Sequence, residues 1–210
     1  MERWTRARLI EFAVTGVVIT FFLRAFARYC ENVIEHRQGV ILHDPVLTRL
    51  PVIDFTWPTF AVLYVALFSG LGILARRPVR LTAGLQTYAL MIAFRWTGMW
   101  LVSIDPPPGM IILEDPFITA FGPSVTLTRD LFFSGHTGTM CLLTFTATHK
   151  WTRAGFGVAA VIVATMILFQ RVHYTFDVFA APAFALMAWR VVNRARALAG
   201  LPNAELDIVS

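Results

Sequence analysis

The chain has 210 residues, is 57% hydrophobic and has a mean hydropathy of +0.64, against about 45–50% apolar residues in soluble domains, which excludes an ordinary soluble fold. Its net charge of +5 sits in short basic clusters between apolar runs, a pattern of membrane orientation that excludes a nucleic-acid-binding surface. Two cysteines, Cys30 and Cys141, form neither a metal-ligand spacing nor a disulfide framework, and no metal or cofactor is expected. A membrane span needs roughly 17–25 mostly apolar residues. Six stretches meet that need, at about 9–29, 57–75, 82–104, 134–149, 154–170 and 174–192. Arg76-Arg77-Pro78 ends the second. Asp105-Pro106-Pro107-Pro108-Gly109 ends the third, because consecutive prolines supply no N–H donors and cannot continue a helix. His149, Lys150 and Arg153 separate the fourth from the fifth. With no linker or internal repeat, residues 1–210 read as a single membrane domain.

Orientation follows from the basic residues. Arg3, Arg6 and Arg8 precede the first stretch; Arg76, Arg77 and Arg80 lie between the second and third; Lys150 and Arg153 between the fourth and fifth; Arg190, Arg194 and Arg196 follow at the end of the sixth. All four clusters fall on one side of a six-span arrangement. The expected fold is therefore an all-α integral membrane protein with six transmembrane helices and both termini cytoplasmic. The opposite loops carry Glu31, Glu35, Asp44, Asp54, Asp105, Glu114, Asp115 and Asp130. The charged head, apolar run and Ala25-Phe26-Ala27 also fit a signal peptide with an A-x-A site; a retained first span is the reading adopted. The compact, Arg-rich chain is read as a bacterial inner-membrane protein.

Candidate chemistry gathers on the outer side. Arg129, Asp130, Ser134, Gly135 and His136 lie where the chain begins the fourth span, and Arg171, His173 and Asp177 where it begins the sixth. Four residues separate His173 from Asp177, so on a helix they share a face. A carboxylate beside an imidazole fixes its tautomer and stabilises its cation, which suits a nucleophilic histidine or a general base. Ser134-Gly135-His136 opens a helix, where unpaired backbone N–H groups can hold an anion and His136 can donate a proton to it. Each motif alone also fits a bland reading: a helix cap with an incidental histidine, or a structural His–Asp contact. Arg95 lies mid-span, where a lone guanidinium costs at least roughly 2.5–3.5 kcal/mol, so a partner is expected: Asp177, Glu11 or a bound phosphate. Glu11 near Arg8 reads as structural. His36 and His43 read as solvated loop residues, and His149 as out of reach on the cytoplasmic side. The tryptophans Trp57, Trp96, Trp100, Trp151 and Trp189 read as interface anchors or packing.

Arg129-Asp130-Leu131-Phe132-Phe133-Ser134-Gly135-His136-Thr137 and His173-Tyr174-Thr175-Phe176-Asp177-Val178 resemble the two catalytic motifs of the sphingomyelin synthase-related branch of the type 2 phosphatidic acid phosphatase superfamily. Leu50-Pro51-Val52-Ile53-Asp54 and the stretch from Gln86 to Met110 are similar to two upstream segments, so the resemblance spans roughly 45–192. It implies a six-helix lipid phosphatase- or phosphotransferase-like bundle with its site on the periplasmic or lumenal face. It implies that His173 attacks phosphorus, Asp177 supports it and His136 handles the proton of the leaving or incoming hydroxyl, through a phospho-histidine intermediate. Arg129, Arg95 and Arg171, with Ser134 and Gly135, are the expected phosphate-binding residues. The expected partners are a membrane phospholipid and an acceptor, either a lipid alcohol or water. Two features depart from the pattern. The Lys-x6-Arg-Pro motif and Ser-Arg pair of the ordinary lipid phosphatases are not evident, and Thr128-Arg129-Asp130 stands where animal sphingomyelin synthases often have Cys-Gly-Asp.

Two other classes remain open at this point. In an intramembrane serine hydrolase of the rhomboid kind, Ser134 would be the nucleophile and His173 its base, but Phe132 breaks the Gly-x-Ser-Gly pattern and His136 has no role. A transporter would call for inverted repeats and a midplane site. The outer stretch 105–133 is long enough to serve as a lid.

Overall fold

The computed structural model describes residues 3–114 and 127–204. Asp115 and positions 115–126 of the expected lid lie outside the described residues. Thr5 caps α1 (Arg6–Tyr29), its Oγ1 accepting the Arg8 N–H at 3.4 Å, and the helix runs on through a π-helical turn, Cys30–Ile34. α2 (Thr56–Leu74) starts where Asp54 accepts the Thr56 N–H at 2.8 Å. α3 (Pro78–Leu101) starts on a proline, whose missing N–H costs nothing in the first turn. α4 (Gly135–Thr146), α5 (Lys150–Phe169) and α6 (Thr175–Leu198) complete the set, and an isolated β-bridge joins Val40 to Ile104. Ala25-Phe26-Ala27 lies inside α1, with Phe26 buried.

Each of the six apolar stretches contains a helix, yet among the described residues four helices are long and apolar enough to cross a membrane: Arg6–Ile34, Thr56–Leu74, Lys150–Phe169 and Thr175–Leu198. The other two are explained by their place in the bundle. α4 has 12 residues, a rise of roughly 18 Å against a hydrocarbon core of about 30 Å. It packs against α2, α3, α5 and α6, and most of its residues are buried. α3 carries the buried polar residues Arg80, Thr82, Thr87 and Arg95 and packs against α1, α4 and α6. Helices shielded by protein need not be apolar all round. α1, α2 and α5 instead turn Val14, Val17, Val18, Phe21, Val65, Phe68, Val158 and Val161 outward. The four apolar helices suggest a multi-pass membrane protein.

Small residues set the closest approach. Ala181, Ala185 and Ala188 on α6 are completely buried in the main core with Met140, Val163 and Ile167, the spacing that lets helix backbones pack tightly. Two further features close the ends of the bundle, one polar and one apolar. At one end Arg196 binds Glu11 and donates to Gln86 Oε1 at 2.8 Å, joining α6 to α1 and α3. At the other end the loops build a small core of Leu47, Ile104, Leu131 and Tyr174 above the helix starts.

Candidate active site

The site-bearing segments meet through their helix caps. Ser134 is the N-cap of α4, its Oγ accepting the Thr137 N–H at 3.3 Å, while its own N–H donates to the Asp177 carbonyl at 3.1 Å. That single backbone bond ties the start of α4 to the first turn of α6. Asp177 is completely buried in that turn, and its Oδ2 accepts the Tyr174 N–H at 3.3 Å and lies 3.4 Å from His173 Nδ1.

The His173–Asp177 pair therefore forms, but not as two residues on one helical face. The helix begins at Thr175, and Tyr174 has extended backbone angles. Asp177 reaches back over the cap to the residue before it. This is the capping-box geometry, and it orients the imidazole from the helix start. Asp44 adds a second carboxylate there, accepting the Thr175 N–H at 2.7 Å and the Thr175 hydroxyl at 3.0 Å. Burial pushes the Asp44 carboxyl up, but the donors of Thr175, Leu47 and Val46 outweigh it and hold it below the usual carboxylate range. The Tyr174 hydroxyl donates to the Asp105 carbonyl at 2.9 Å and accepts the Leu42 N–H at 3.1 Å, stitching the outer loops over His173.

His136, in the first turn of α4, is partly exposed and stands edge-on to the Phe60 ring of α2, with centroids 6.1 Å apart. His173 is buried. Gly135 has a specific neighbour: a Cβ there would lie 2.7 Å from Arg95 Nη1. The absent side chain makes room for a guanidinium of the protein itself.

Arg95 has neither of the side-chain partners anticipated for it. Its Nη2 lies 2.5 Å from Asp130 Oδ1 and 3.3 Å from the Asp130 carbonyl, its Nη1 donates to the Phe133 carbonyl, and its Cζ lies 5.6 Å from the Phe133 ring centroid. Glu11 is taken by Arg196 at the far end of the bundle, and Asp177 by the α6 cap. Periodicity did not reveal Asp130 as the partner, because it lies on an irregular segment. The available signal was the rule that a mid-span arginine needs a counter-ion, together with the position of Asp130 just before the Ser134 motif.

The other two arginines are held on outer-loop groups. Arg129 donates from Nε to Asp105 Oδ1 at 2.8 Å and from Nη1 to the Glu35 carbonyl at 2.6 Å, while the Glu35 carboxylate accepts the Thr128 hydroxyl and the N–H groups of Thr128 and Arg129. Arg171 has a left-handed φ of 56° at the turn between α5 and α6, and its guanidinium donates to the carbonyls of Pro108 (2.9 Å), Leu47 (3.1 Å) and Leu50 (3.4 Å). These contacts account for both residues structurally. The neighbouring Gln170, completely buried, donates to Thr56 Oγ1 at 2.9 Å and fixes the same turn to α2; nothing in the sequence pattern marked it.

A helical membrane-type bundle, with two histidines and two aspartates drawn from distant segments at one end, is the class of protein that emerges. Residues 129–194 match the family model described as PAP2 superfamily C-terminal, a stretch holding both the Ser134 and His173 motifs, and this likeness suggests a lipid phosphatase-type activity. No curated protein matches the chain.

Proposed function

We propose that this protein is a membrane enzyme acting on the phosphate of a lipid head group, with His173 as nucleophile, Asp177 as its support and His136 as the proton carrier. The observation that carries the reading is the Ser134 N–H to Asp177 carbonyl bond at 3.1 Å, which makes one structural unit of the two motifs. With the Nδ1 proton directed at Asp177 Oδ2, the lone pair of His173 lies on Nε2. Nε2 attacks phosphorus, the P–O bond to the leaving alcohol breaks, and that oxygen takes a proton from His136. In the second half, an acceptor hydroxyl gives its proton to His136 as its oxygen attacks phosphorus, and the P–N bond to His173 breaks. Covalent catalysis of this kind divides one difficult displacement into two. The first-turn N–H groups of α4 are the donors available to the phosphate, with the Arg95–Asp130 pair held behind Gly135. The orientation we favour places this end of the bundle on the extracytoplasmic side, with six spans and both termini cytoplasmic, on the strength of the basic clusters at the other end.

The charges favour a phosphodiester over a phosphomonoester. Arg95 is matched by Asp130, Arg129 by Asp105, and Arg171 is taken up by three carbonyls. A dianion would find few uncommitted cations, whereas a monoanionic diester needs fewer. This supports a phosphotransferase or phospholipase C-like reaction, as in the sphingomyelin synthase-related branch. A serine hydrolase is disfavoured because Ser134 is completely buried and its hydroxyl caps α4.

The test is to incubate the purified protein with phosphatidylcholine, phosphatidylethanolamine and phosphatidic acid, each with and without ceramide or diacylglycerol, and to identify products by mass spectrometry. Diester turnover and acid-labile phosphate on His173 are expected. His173→Ala removes turnover, and His136→Ala slows it by about 10²–10⁴. Undiminished turnover in His173→Ala, or labelling of Ser134 by a fluorophosphonate, would overturn the reading.

A further inference from the structure

The start of α2 touches both histidine-bearing segments. Gln170, just before His173 in the chain and completely buried, accepts the Thr59 hydroxyl on Oε1 at 3.4 Å and donates from Nε2 to Thr56 Oγ1 at 2.9 Å and to Asp54 Oδ1 at 3.4 Å. The start of α2 is therefore fastened to the turn that carries His173. The residue after Thr59 is Phe60, 2% exposed, and its ring stands edge-on to the His136 imidazole, with centroids 6.1 Å apart and planes at 67°. That separation lies inside the roughly 4.5–7 Å range in which aromatic rings attract. One turn further along α2 the Tyr64 ring stacks on Phe60 at 5.8 Å and 19°, so the ring that meets His136 has its own plane fixed.

We propose that Phe60 is a positioning residue for His136: its ring sets the plane of the imidazole, so that the proton His136 carries is directed at the oxygen on phosphorus. The assignment rests on the phosphate-transfer reading above. His173 is buried and meets Asp177 through Nδ1 at 3.4 Å, which fixes its ring. His136 is partly exposed, as a group that exchanges protons with a substrate oxygen must be. Rotation about its Cβ–Cγ bond has broad minima, so the backbone alone leaves the ring plane unset. A phenyl ring brings no charge and takes no proton, so Phe60 constrains that rotation without competing for the proton. Because α2 is also bonded to Gln170, the same ring holds His136 in a frame shared with His173.

The test compares Phe60→Leu, which fills most of the space but removes the flat ring, with Phe60→Tyr, which restores it. With phosphatidylcholine the leaving alcohol takes its proton from His136, so Phe60→Leu lowers kcat roughly two- to tenfold, the worth of one edge-on ring pair, with KM unchanged. Phe60→Tyr returns kcat to the parental value. 4-Nitrophenyl phosphorylcholine separates the two half-reactions. His173 Nε2 attacks phosphorus and the P–O bond breaks to release 4-nitrophenolate, an anion stable enough to leave unprotonated. Water attacking the phospho-histidine must still give its proton to His136 as the P–N bond breaks. In Phe60→Leu the burst of 4-nitrophenolate keeps the parental rate constant, and the steady phase after it slows by the same factor as lipid turnover. If the burst slows equally, or if kcat with the lipid does not fall, Phe60 merely packs the site and the proposal fails; this comparison decides even where Phe60→Tyr does not fold. If the parent gives no burst that His173→Ala abolishes, the phosphate-transfer reading itself fails, and Phe60 has no proton carrier to orient.

Discussion

Gly98 and Gly135 both give way to a bulky neighbour, and the two neighbours differ in how easily they could retreat. A Cβ on Gly98 would lie 2.3 Å from the Phe132 ring, a rigid plane already packed edge-on against Phe184 at 5.4 Å. Gly98→Ala is expected to cost about 1–3 kcal/mol, the usual range for overpacking, read as a lower melting temperature in detergent. Phe132→Leu in the same background should recover part of the loss; no change on Gly98→Ala would show that the ring moves freely. At Gly135 the obstacle is Arg95, pinned by Asp130 and Phe133. This scale is also where reading the sequence was least complete. A buried arginine required a partner by simple energetics, but a partner on an irregular segment obeys no period, so periodicity could not single out Asp130 among the outer carboxylates.

Among the elements, α6 is the most instructive. The spacing of His173 and Asp177 implied a pair, and a pair forms, but through a cap in which the carboxylate turns back on an extended residue. Asp44 and Asp177 together satisfy N–H groups that the helix start leaves open. Because the Asp44 carboxyl lies below the usual range in the folded protein, its stabilisation is present above the unfolded value of about 3.9 and is lost as pH falls through the lower folded value. Asp130 acts in the same direction. Stability should therefore fall off below about pH 4. Asp44→Ala should remove about 1 kcal/mol at neutral pH, a typical cap loss, and reduce the acid sensitivity. Thermal melts across pH 3–7 would measure both; a variant as acid-sensitive as the parent would refute the assignment.

For the molecule as a whole, the bundle is clasped at the end away from the histidines. Arg196, 3% exposed, binds Glu11 and Gln86 and donates from Nε to the Pro202 carbonyl at 2.9 Å, so α1, α3, α6 and the chain after α6 share one guanidinium. Glu11→Gln leaves that cation without its carboxylate. The expected cost is about 2–3 kcal/mol, less than for a fully buried pair, because Glu11 keeps 22% of its side-chain surface exposed. A lowered melting temperature with unchanged KM in the parent's substrate assay is the outcome to look for. A large change in KM would mean that the clasp is coupled to the site.

Hydropathy and proline punctuation determined where the helices run, because burying apolar side chains and losing N–H donors are local costs written residue by residue. The arrangement of the basic clusters and the two short motifs likewise pointed to one end of the chain's helices as chemically special. Which helices lie inside was decided only by packing: α3 and α4 can be polar or short because neighbours shield them. The same holds for the arginines. Arg129 and Arg171 carry the charge a phosphate would want, but their guanidinia are committed to loop carbonyls and Asp105, and only the folded chain determines which of several nearby acceptors each donor reaches.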